Sequence, residues 1–219
     1  HGAVFRLLMA DLDRRLSTVR LADQLSALAD AVIEIVLELA WNSLSRKFDG
    51  DPKFAVIAYG KLGGKELGYA SDLDLIYLYD DDRMDSDMVY TRLVRRMMNW
   101  LTMQTSSGRL FEVDLRLRPN GADGLVVSSF DSWQKYERNE DGKGAWTWEL
   151  QALTRARFCA GDTSIGEKFE AERKRILQSP RNRAELASEV ISMRQRMLDG
   201  HKNPTELFDI KHDRGGMVD

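Results

Sequence analysis

The sequence predicts an α/β (α+β) fold, a small mixed sheet with flanking helices, followed by a helical region. Two short apolar runs, 54–58 and 75–78, have the length and composition of buried strands. Apolar residues at 21–39 and 89–104 recur at intervals of three and four, the period of an amphipathic helix. Residues 110–118 alternate between apolar and charged side chains, which indicates a strand with one face toward the core.

The N-terminal fifty residues are predicted to form two helices that pack on the rest of the chain. The first covers 2–16, and Ser17 or Thr18 can cap the second. The second helix is expected to continue to about Phe48, where the breaker Asp-Gly-Asp-Pro begins. Its packing face is predicted to be the aliphatic stripe of Leu21, Leu25, Leu28, Val32, Ile35 and Leu39.

Helices and short strands follow the second strand. We expect the three aspartates at 80–82 to form a solvated turn rather than further metal ligands. The pattern then predicts, in order, a helix at 87–106, the strand at 110–118, a turn at 120–124, a strand at 125–128, a helix at 130–139 capped by Ser128 or Ser129, a flexible link at 140–144, and helices at 145–159, 165–177 and 184–198. We therefore divide the chain into N-terminal helices (1–50), a core (51–160) and a helical region (161–219).

Composition limits the classes of function. The 32 basic and 35 acidic residues leave a net charge of −3, which gives no support for nucleic-acid binding. No apolar run approaches the ~20 residues that span a bilayer, so no membrane partner is expected. A single cysteine, Cys159, allows no internal disulfide and favours a cytoplasmic location. Because the chain opens at His1 and stops where an apolar segment begins, we expect a fragment truncated in its C-terminal helical region.

The residues that suggest chemistry lie between the first two strands. Asp72 and Asp74 open the second strand, and side chains two apart on a strand point to the same face. Adjacent carboxylates repel unless a cation lies between them. Magnesium is typically held by one or two carboxylates together with substrate phosphates. The glycine-rich turn at 60–64 can present backbone N–H groups to an anion, so the stretch predicts a nucleotidyltransferase site.

A third carboxylate, Asp114, lies on the charged face of the predicted strand at 110–118. If that strand neighbours the second, Asp72, Asp74 and Asp114 can hold two Mg²⁺ ions. We expect the phosphates to be bound by residues of three kinds. Gly63 and Gly64 allow close backbone approach, Ser71 offers a hydroxyl donor, and Lys61, Arg116 and Arg118 provide positive charge. The alternative is an acidic turn that binds calcium or is purely structural.

The same motifs resemble the glutamine synthetase adenylyltransferase family. The resemblance is carried by GKLGGKELGYASDLDLI (60–76), EVDLRLRP (112–119), AWTWELQAL (145–153), FDIK (208–211) and the glycine pair at 215–216. That family has two related nucleotidyltransferase halves, and Gly68-Tyr69 with the run Ala-Trp-Thr-Trp-Glu is similar to the C-terminal, adenylylating half. The resemblance implies a nucleotidyltransferase (polymerase beta-like) fold for the core.

The resemblance also implies a reaction and its participants. It implies ATP as donor, a tyrosine of glutamine synthetase as acceptor, Mg²⁺, and the PII signal protein and glutamine as effectors. It makes Asp72, Asp74 and Asp114 the metal ligands, and Asp114 could also act as a base. In the wider superfamily the glycine pair lies farther from the first acid, so either Gly60 or Gly63-Gly64 holds the phosphates. Two rival functions stay open: phosphorolytic removal of AMP from tyrosine, and a regulatory module that binds nucleotide or a signal protein without catalysis.

Overall fold

The computed structural model describes residues 1–106, 108–121, 124–139, 144–200, 203–205, 207–211 and 213–217, apart from the Trp148 side chain. Its elements confirm a mixed α/β architecture with helices flanking a small sheet. In chain order they are α1 (Gly2–Leu12), α2 (Thr18–Asn42), β1 (Phe54–Ala58), α3 (Gly60–Gly63), β2 (Leu73–Tyr79), α4 (Ser86–Thr102), β3 (Val113–Asp114), β4 (Ser128–Ser129), α5 (Phe130–Arg138), α6 (Thr147–Leu153), β5 (Arg157–Gly161), α7 (Thr163–Gln178) and α8 (Arg183–Gly200).

The sheet is mixed, as predicted. Its strand order is β3-β2-β1-β5, and β4 also pairs with β2. The central strand β1 is antiparallel to both β2 and β5, whereas β3 and β4 run parallel to β2. The two apolar runs of the sequence are thus neighbouring strands, and β3 lies beside the beginning of β2.

Helices cover both faces of the sheet. Every residue of β1 is buried, and successive side chains alternate between two apolar clusters. Phe54, Val56 and Ala58 belong to the cluster that includes residues of α2 and α4. Ala55 and Ile57 belong to the cluster that includes residues of α5 and α7. Burial on both faces explains why β1 reads as a continuous apolar run rather than an alternating one.

The prediction for α2 is confirmed at its start and wrong over its second half. The Ser17 hydroxyl accepts a hydrogen bond from the Arg20 N–H at 3.4 Å, as an N-cap does. However, Ile35 and Leu39 are 55% and 53% exposed, so the aliphatic stripe is not the packing face along the whole helix. The helix instead contacts the core through residues on a rotated face, namely Ala29, Ile33, Val36, Leu37, Ala40 and Trp41.

The predicted helix at 145–159 is wrong in its second half. Helix α6 ends at Leu153, and residues 157–161 form the edge strand β5. This segment adds its backbone hydrogen bonds to β1, and Ala160 is buried against the core. Pairing with an available sheet edge therefore overrides a local sequence with helical spacing.

The predicted strand at 110–118 shortens to Val113–Asp114. Beyond it the chain turns, and the Arg118 guanidinium donates to the carbonyls of Leu115 at 2.8 Å and Gly124 at 3.1 Å. The next strand, β4, comes later than predicted. Helix α5 begins as predicted, with the Ser129 hydroxyl accepting from the Ser132 N–H at 3.2 Å.

The expectation of a solvated turn at 80–82 is wrong for Asp81. Its side chain is only 1% exposed and accepts hydrogen bonds from the Arg83 guanidinium, the shortest at 2.6 Å, and from the Arg83 backbone N–H at 3.2 Å. The Tyr90 hydroxyl donates to the same carboxylate at 2.7 Å. Asp81 thus connects the end of β2 to α4, which is a structural role.

Residues 140–143 of the predicted link lie outside the described residues. Among the helices that the structure describes, none has the length and apolar content needed to cross a membrane.

Candidate metal centre

Three aspartates meet where β2 and β3 lie side by side. Asp74 and Asp114 are register partners in this parallel pair, and Leu73 pairs with Val113. Leu73 is fully buried, so Asp72 and Asp74 on either side of it project away from the core. Each of the three carboxylates has an oxygen within 4.8 Å of the others. This spacing fits donors that share a metal ion.

The cluster opens onto a cleft of about 410 Å³. Asp72 and Asp114 line it together with Arg116 and Met98 of α4. All three aspartates are half-buried. A ligand in the cleft can therefore reach the carboxylates from the solvent. Met98 also packs against the core, and only the position of α4 beside β3 shows that it is a cleft residue.

Two of the predicted cations contact the carboxylates directly. The Lys61 ammonium group donates to Asp72 Oδ1 at 3.1 Å and to the Ser71 hydroxyl at 3.4 Å. Arg116 donates to one oxygen of Asp114 through its backbone N–H at 2.8 Å, and to the other through its guanidinium Nε at 2.7 Å. Without a metal ion these side chains neutralise part of the charge that the three acids bring together.

The surroundings shift the pKa values of two of the acids in opposite directions. Burial, and then the charges of Asp72 and Asp114, raise the pKa of Asp74. Hydrogen bonds from Arg116 lower the pKa of Asp114. Because the neighbouring carboxylates raise the pKa of Asp74, a cation bound between the acids would lower it.

In the glycine turn, the backbone of Gly60 lies close to the carboxylate of Asp74. Gly60 has φ +54°, and a methyl group there would overlap the carboxylate of Asp74. Gly63 is different: a methyl group there would overlap the carbonyl oxygen of Arg155. Gly64 lies beside the guanidinium of the same arginine, which forms an ion pair with Glu66. The structure thus places Gly60 against the acids, and Gly63 and Gly64 against the segment before β5.

Two further predicted site residues, Ser71 and Arg118, make contacts within their own loops. The Ser71 hydroxyl accepts from the Gly68 N–H at 3.0 Å, which shapes the loop just before Asp72. Arg118 holds the turn after β3, although its charge also lowers the pKa of Asp114. Arg157 of β5 pairs with Asp30 of α2 at 2.8 Å.

Comparison with known proteins gives one family and a consistent set of relatives. The family described as glutamate-ammonia ligase adenylyltransferase matches residues 1–172. The chain is 54% identical over 219 residues to the bifunctional glutamine synthetase adenylyltransferase/adenylyl-removing enzyme of Ralstonia nicotianae, covering 100% of the chain and 23% of that protein. The proteins of the same name from Burkholderia mallei and Nitrosomonas europaea are 54% and 52% identical over 221 and 219 residues, covering 100% of the chain and 24% and 23% of those proteins. The chain therefore spans about a quarter of the length of these relatives.

Proposed function

Because the chain belongs to the glutamate-ammonia ligase adenylyltransferase family, we propose that it transfers AMP from ATP to a tyrosine of glutamine synthetase and releases pyrophosphate. The observation that carries this proposal is the convergence of Asp72, Asp74 and Asp114, of which Asp72 and Asp114 line the cleft. In nucleotidyl transfer the protein mainly positions the reactants and stabilises the charge that develops on the phosphates. Metal ions contribute to both, and carboxylates clustered on adjacent strands can bind them. We propose the nucleotidyltransferase (polymerase beta-like) fold for the core on the same grounds.

The donor set fits a hard divalent cation. Three carboxylates at this spacing offer the oxygen ligands that Mg²⁺ prefers, and a half-open cleft leaves room for phosphate oxygens to complete the shell. We propose that Asp72, Asp74 and Asp114 hold two Mg²⁺ ions. Bound there, the ions would activate the attacking tyrosine hydroxyl and stabilise the leaving pyrophosphate. Because Arg116 lowers the pKa of Asp114, that carboxylate is a poor proton acceptor, and we assign it to metal binding rather than to base catalysis.

The chain's own cations and backbone would hold the triphosphate. We propose that the turn at Gly60 receives the phosphates, because its backbone lies against Asp74 whereas Gly63 lies against Arg155. Lys61 and Arg116 already contact the ligand acids, so a short movement would carry their charges to phosphate oxygens. The Ser71 hydroxyl, which accepts from the Gly68 N–H, would donate its own proton to a phosphate oxygen. Arg118 would act from its turn by charge alone.

The direction of transfer is a separate part of the proposal. The relatives' name covers both adenylyl transfer and adenylyl removal, so their similarity does not choose between the two. The Gly68-Tyr69 pair and the Ala-Trp-Thr-Trp-Glu run favour the adenylylating half of the family. We propose glutamine synthetase as the protein partner and the PII signal protein and glutamine as effectors of the longer protein.

One assay distinguishes the three candidate functions. The purified chain is incubated with MgATP and unmodified glutamine synthetase, and in parallel with phosphate and adenylylated glutamine synthetase. The proposal predicts pyrophosphate release in the first mixture, at least 100-fold above the Asp74→Asn variant. Formation of ADP in the second mixture alone indicates adenylyl removal. Binding of ATP with no product in either mixture indicates a non-catalytic regulatory module.

A further inference from the structure

A short turn, residues 68–71, leads the chain into the first of the three aspartates. Two hydrogen bonds close this turn: the Ser71 N–H donates to the Gly68 carbonyl at 3.3 Å, and the Gly68 N–H donates to the Ser71 hydroxyl at 3.0 Å. Asp72 follows directly, and β2 begins at the next residue. We call residues 68–71 the entry turn. The position of the Asp72 carboxylate therefore depends on how the entry turn is held.

Tyr69 attaches the entry turn to the N-terminal helix. Its hydroxyl donates to Asp11 Oδ2 at 3.0 Å, although the two residues lie 58 positions apart in the chain. Asp11 is in the last turn of α1. Helix α1 is anchored independently of the entry turn, because it packs on α2 and its Leu7 contacts the main apolar cluster. The bond thus connects the entry turn to an element that is already fixed.

Lys61 connects the other end of the entry turn to the acids. Its ammonium group donates to the Ser71 hydroxyl at 3.4 Å and to Asp72 Oδ1 at 3.1 Å. A continuous series of hydrogen bonds and covalent bonds therefore runs from Asp11 through Tyr69 and the entry turn to Asp72. A displacement of the turn would move the Ser71 hydroxyl, the Lys61 ammonium group and the Asp72 carboxylate together.

The bond between Tyr69 and Asp11 is open to solvent, which limits its effect on the fold as a whole. Tyr69 is 43% exposed, and a hydrogen bond there adds little net stability because water competes for both groups. Its local effect is larger, since Gly68, Tyr69 and Ala70 are all exposed and bury little apolar surface that could hold the turn. Loss of the bond should release the entry turn and leave the fold intact.

We propose that Tyr69 and Asp11 are positioning residues for the Asp72 carboxylate and that they act through their mutual hydrogen bond. The proposal rests on the proposed function only in taking Asp72 as a metal ligand. Groups bonded directly to a metal ligand typically change metal affinity by 10–100-fold when they are removed. Because Tyr69 and Asp11 act through the entry turn, we expect a smaller effect, about fivefold.

Binding of Mn²⁺ measured by electron paramagnetic resonance tests the proposal without relying on catalysis. The chain is titrated with Mn²⁺ alone at pH 7, and the stability of each variant is followed by thermal unfolding. Tyr69→Phe removes the hydroxyl and keeps the ring, so we expect Mn²⁺ affinity to fall about fivefold. The unfolding temperature should fall by no more than about 4 °C, as expected for one exposed hydrogen bond. A change in Mn²⁺ affinity of less than twofold would overturn the proposal.

Two variants of Asp11 separate the hydrogen bond from the charge. Asp11→Asn keeps a side-chain oxygen that can accept from the Tyr69 hydroxyl, so we expect its Mn²⁺ affinity to stay within twofold of the unaltered chain. Asp11→Leu removes the acceptor, and we expect the same fivefold loss as in Tyr69→Phe. Equal losses in the two Asp11 variants would show that the charge acts through space, and this would overturn the proposal.

The double variant Tyr69→Phe/Asp11→Leu tests whether the two residues act as one unit. Since either single change already breaks the bond, the double variant should lose no more Mn²⁺ affinity than each single variant. Losses that multiply, to roughly 25-fold, would show independent effects and contradict the proposal.

Leu12→Ala is the packing control. Leu12 is the neighbour of Asp11 on α1 and is 68% exposed, so this variant should leave Mn²⁺ affinity within twofold. A loss as large as that in Asp11→Leu would overturn the proposal, because a general disturbance of α1 would then account for the effect.

The outcomes also separate this proposal from the one on which it rests. If Asp74→Asn abolishes Mn²⁺ binding while Tyr69→Phe and Asp11→Leu bind normally, the positioning role is overturned and the metal site stands. If Asp74→Asn binds Mn²⁺ like the unaltered chain, the metal site itself fails, and the positioning role fails with it.

Discussion

Asp74 and Asp114 are register partners on the parallel strands β2 and β3, although helix α4 lies between them in the chain. This pairing determines the geometry of the site: it brings the third carboxylate to the pair that the sequence already places on one face of a strand.

The first prediction concerns Asp114. Asp114→Asn keeps the side-chain volume and removes one of three negative charges, so we expect Mn²⁺ affinity to fall at least tenfold and AMP transfer at least 100-fold. Stability should change by less than about 1 kcal/mol, because the partner Arg116 side chain is 81% exposed. Asp131→Asn is the matched control, since Asp131 is an exposed acid that pairs with Lys135 on α5 and is not among the described residues that line the cleft. Equal binding by Asp114→Asn and the control would remove Asp114 from the site.

The second prediction separates the glycines of the turn. Gly60→Ala places a methyl group on the Asp74 carboxylate at positive φ, so we expect a loss of AMP transfer of at least 100-fold in a chain that still folds. Gly63→Ala meets the Arg155 and Ala58 carbonyls instead, so we expect a loss of stability of about 2 kcal/mol or more, measured by urea unfolding.

Gly50→Ala provides the control for the Gly60 variant. Gly50 has φ +81° and open space around it, so alanine there brings backbone strain without a clash. We expect Gly50→Ala to cost about 1 kcal/mol and to keep its activity. If Gly60→Ala behaves the same way, its contact with Asp74 has no functional meaning.

The third prediction concerns the cations that contact the acids. Because Lys61 neutralises Asp72, Lys61→Met should raise Mn²⁺ affinity a few-fold when no nucleotide is present. The same variant should raise the KM for ATP roughly tenfold, because a phosphate ligand is lost. Lys65→Met, an exposed lysine just after the glycine pair, is the control and should change neither quantity. A fall in Mn²⁺ affinity in Lys61→Met would show that Lys61 supports the metal rather than competing with it.

The fourth prediction concerns Asp81 and the pH dependence of stability. The hydrogen bonds from Arg83 lower the pKa of Asp81 to about 2 in the folded chain, below its value of roughly 4 when unfolded. Asp81 therefore stabilises the fold above about pH 4, and this contribution is lost as the pH falls toward 2. Asp81→Asn should cost about 2 kcal/mol at pH 7, and the deficit should shrink as the pH falls from about 4 to 2. Urea unfolding across this range measures it, with Asp82→Asn, an exposed neighbour, as control. A deficit that stays constant with pH would contradict this account.

The parts of the fold that the sequence predicts correctly are those with a local signal. Residues 54–58 are buried on both faces of the sheet, so they form a continuous apolar run, and this run alone predicts a strand. Asp72 and Asp74 share a face because strand geometry alone requires it. The alternation of apolar and charged residues at 110–118 places Asp114 on the charged face of a predicted strand. Only Val113–Asp114 of that strand is present in the structure, but Asp114 still lies beside Asp74.

The parts that the sequence does not reveal depend on distant contacts. Residues 157–161 form a strand because the edge of β1 is available, and nothing within the segment encodes that edge. The choice between Gly60 and Gly63 depends on which backbone lies against Asp74, and both glycines read alike along the chain. Asp81 reads as a polar turn residue, and its burial becomes visible only with Tyr90 of α4 in place.

The most direct test of the central claim is a crystal of the chain grown with Mn²⁺ and a non-hydrolysable ATP analogue, examined by anomalous scattering. The claim predicts Mn²⁺ peaks coordinated by carboxylate oxygens of Asp72, Asp74 and Asp114, with the analogue's phosphates completing the coordination beside Gly60. A nucleotide bound with its Mn²⁺ away from these three carboxylates would contradict it.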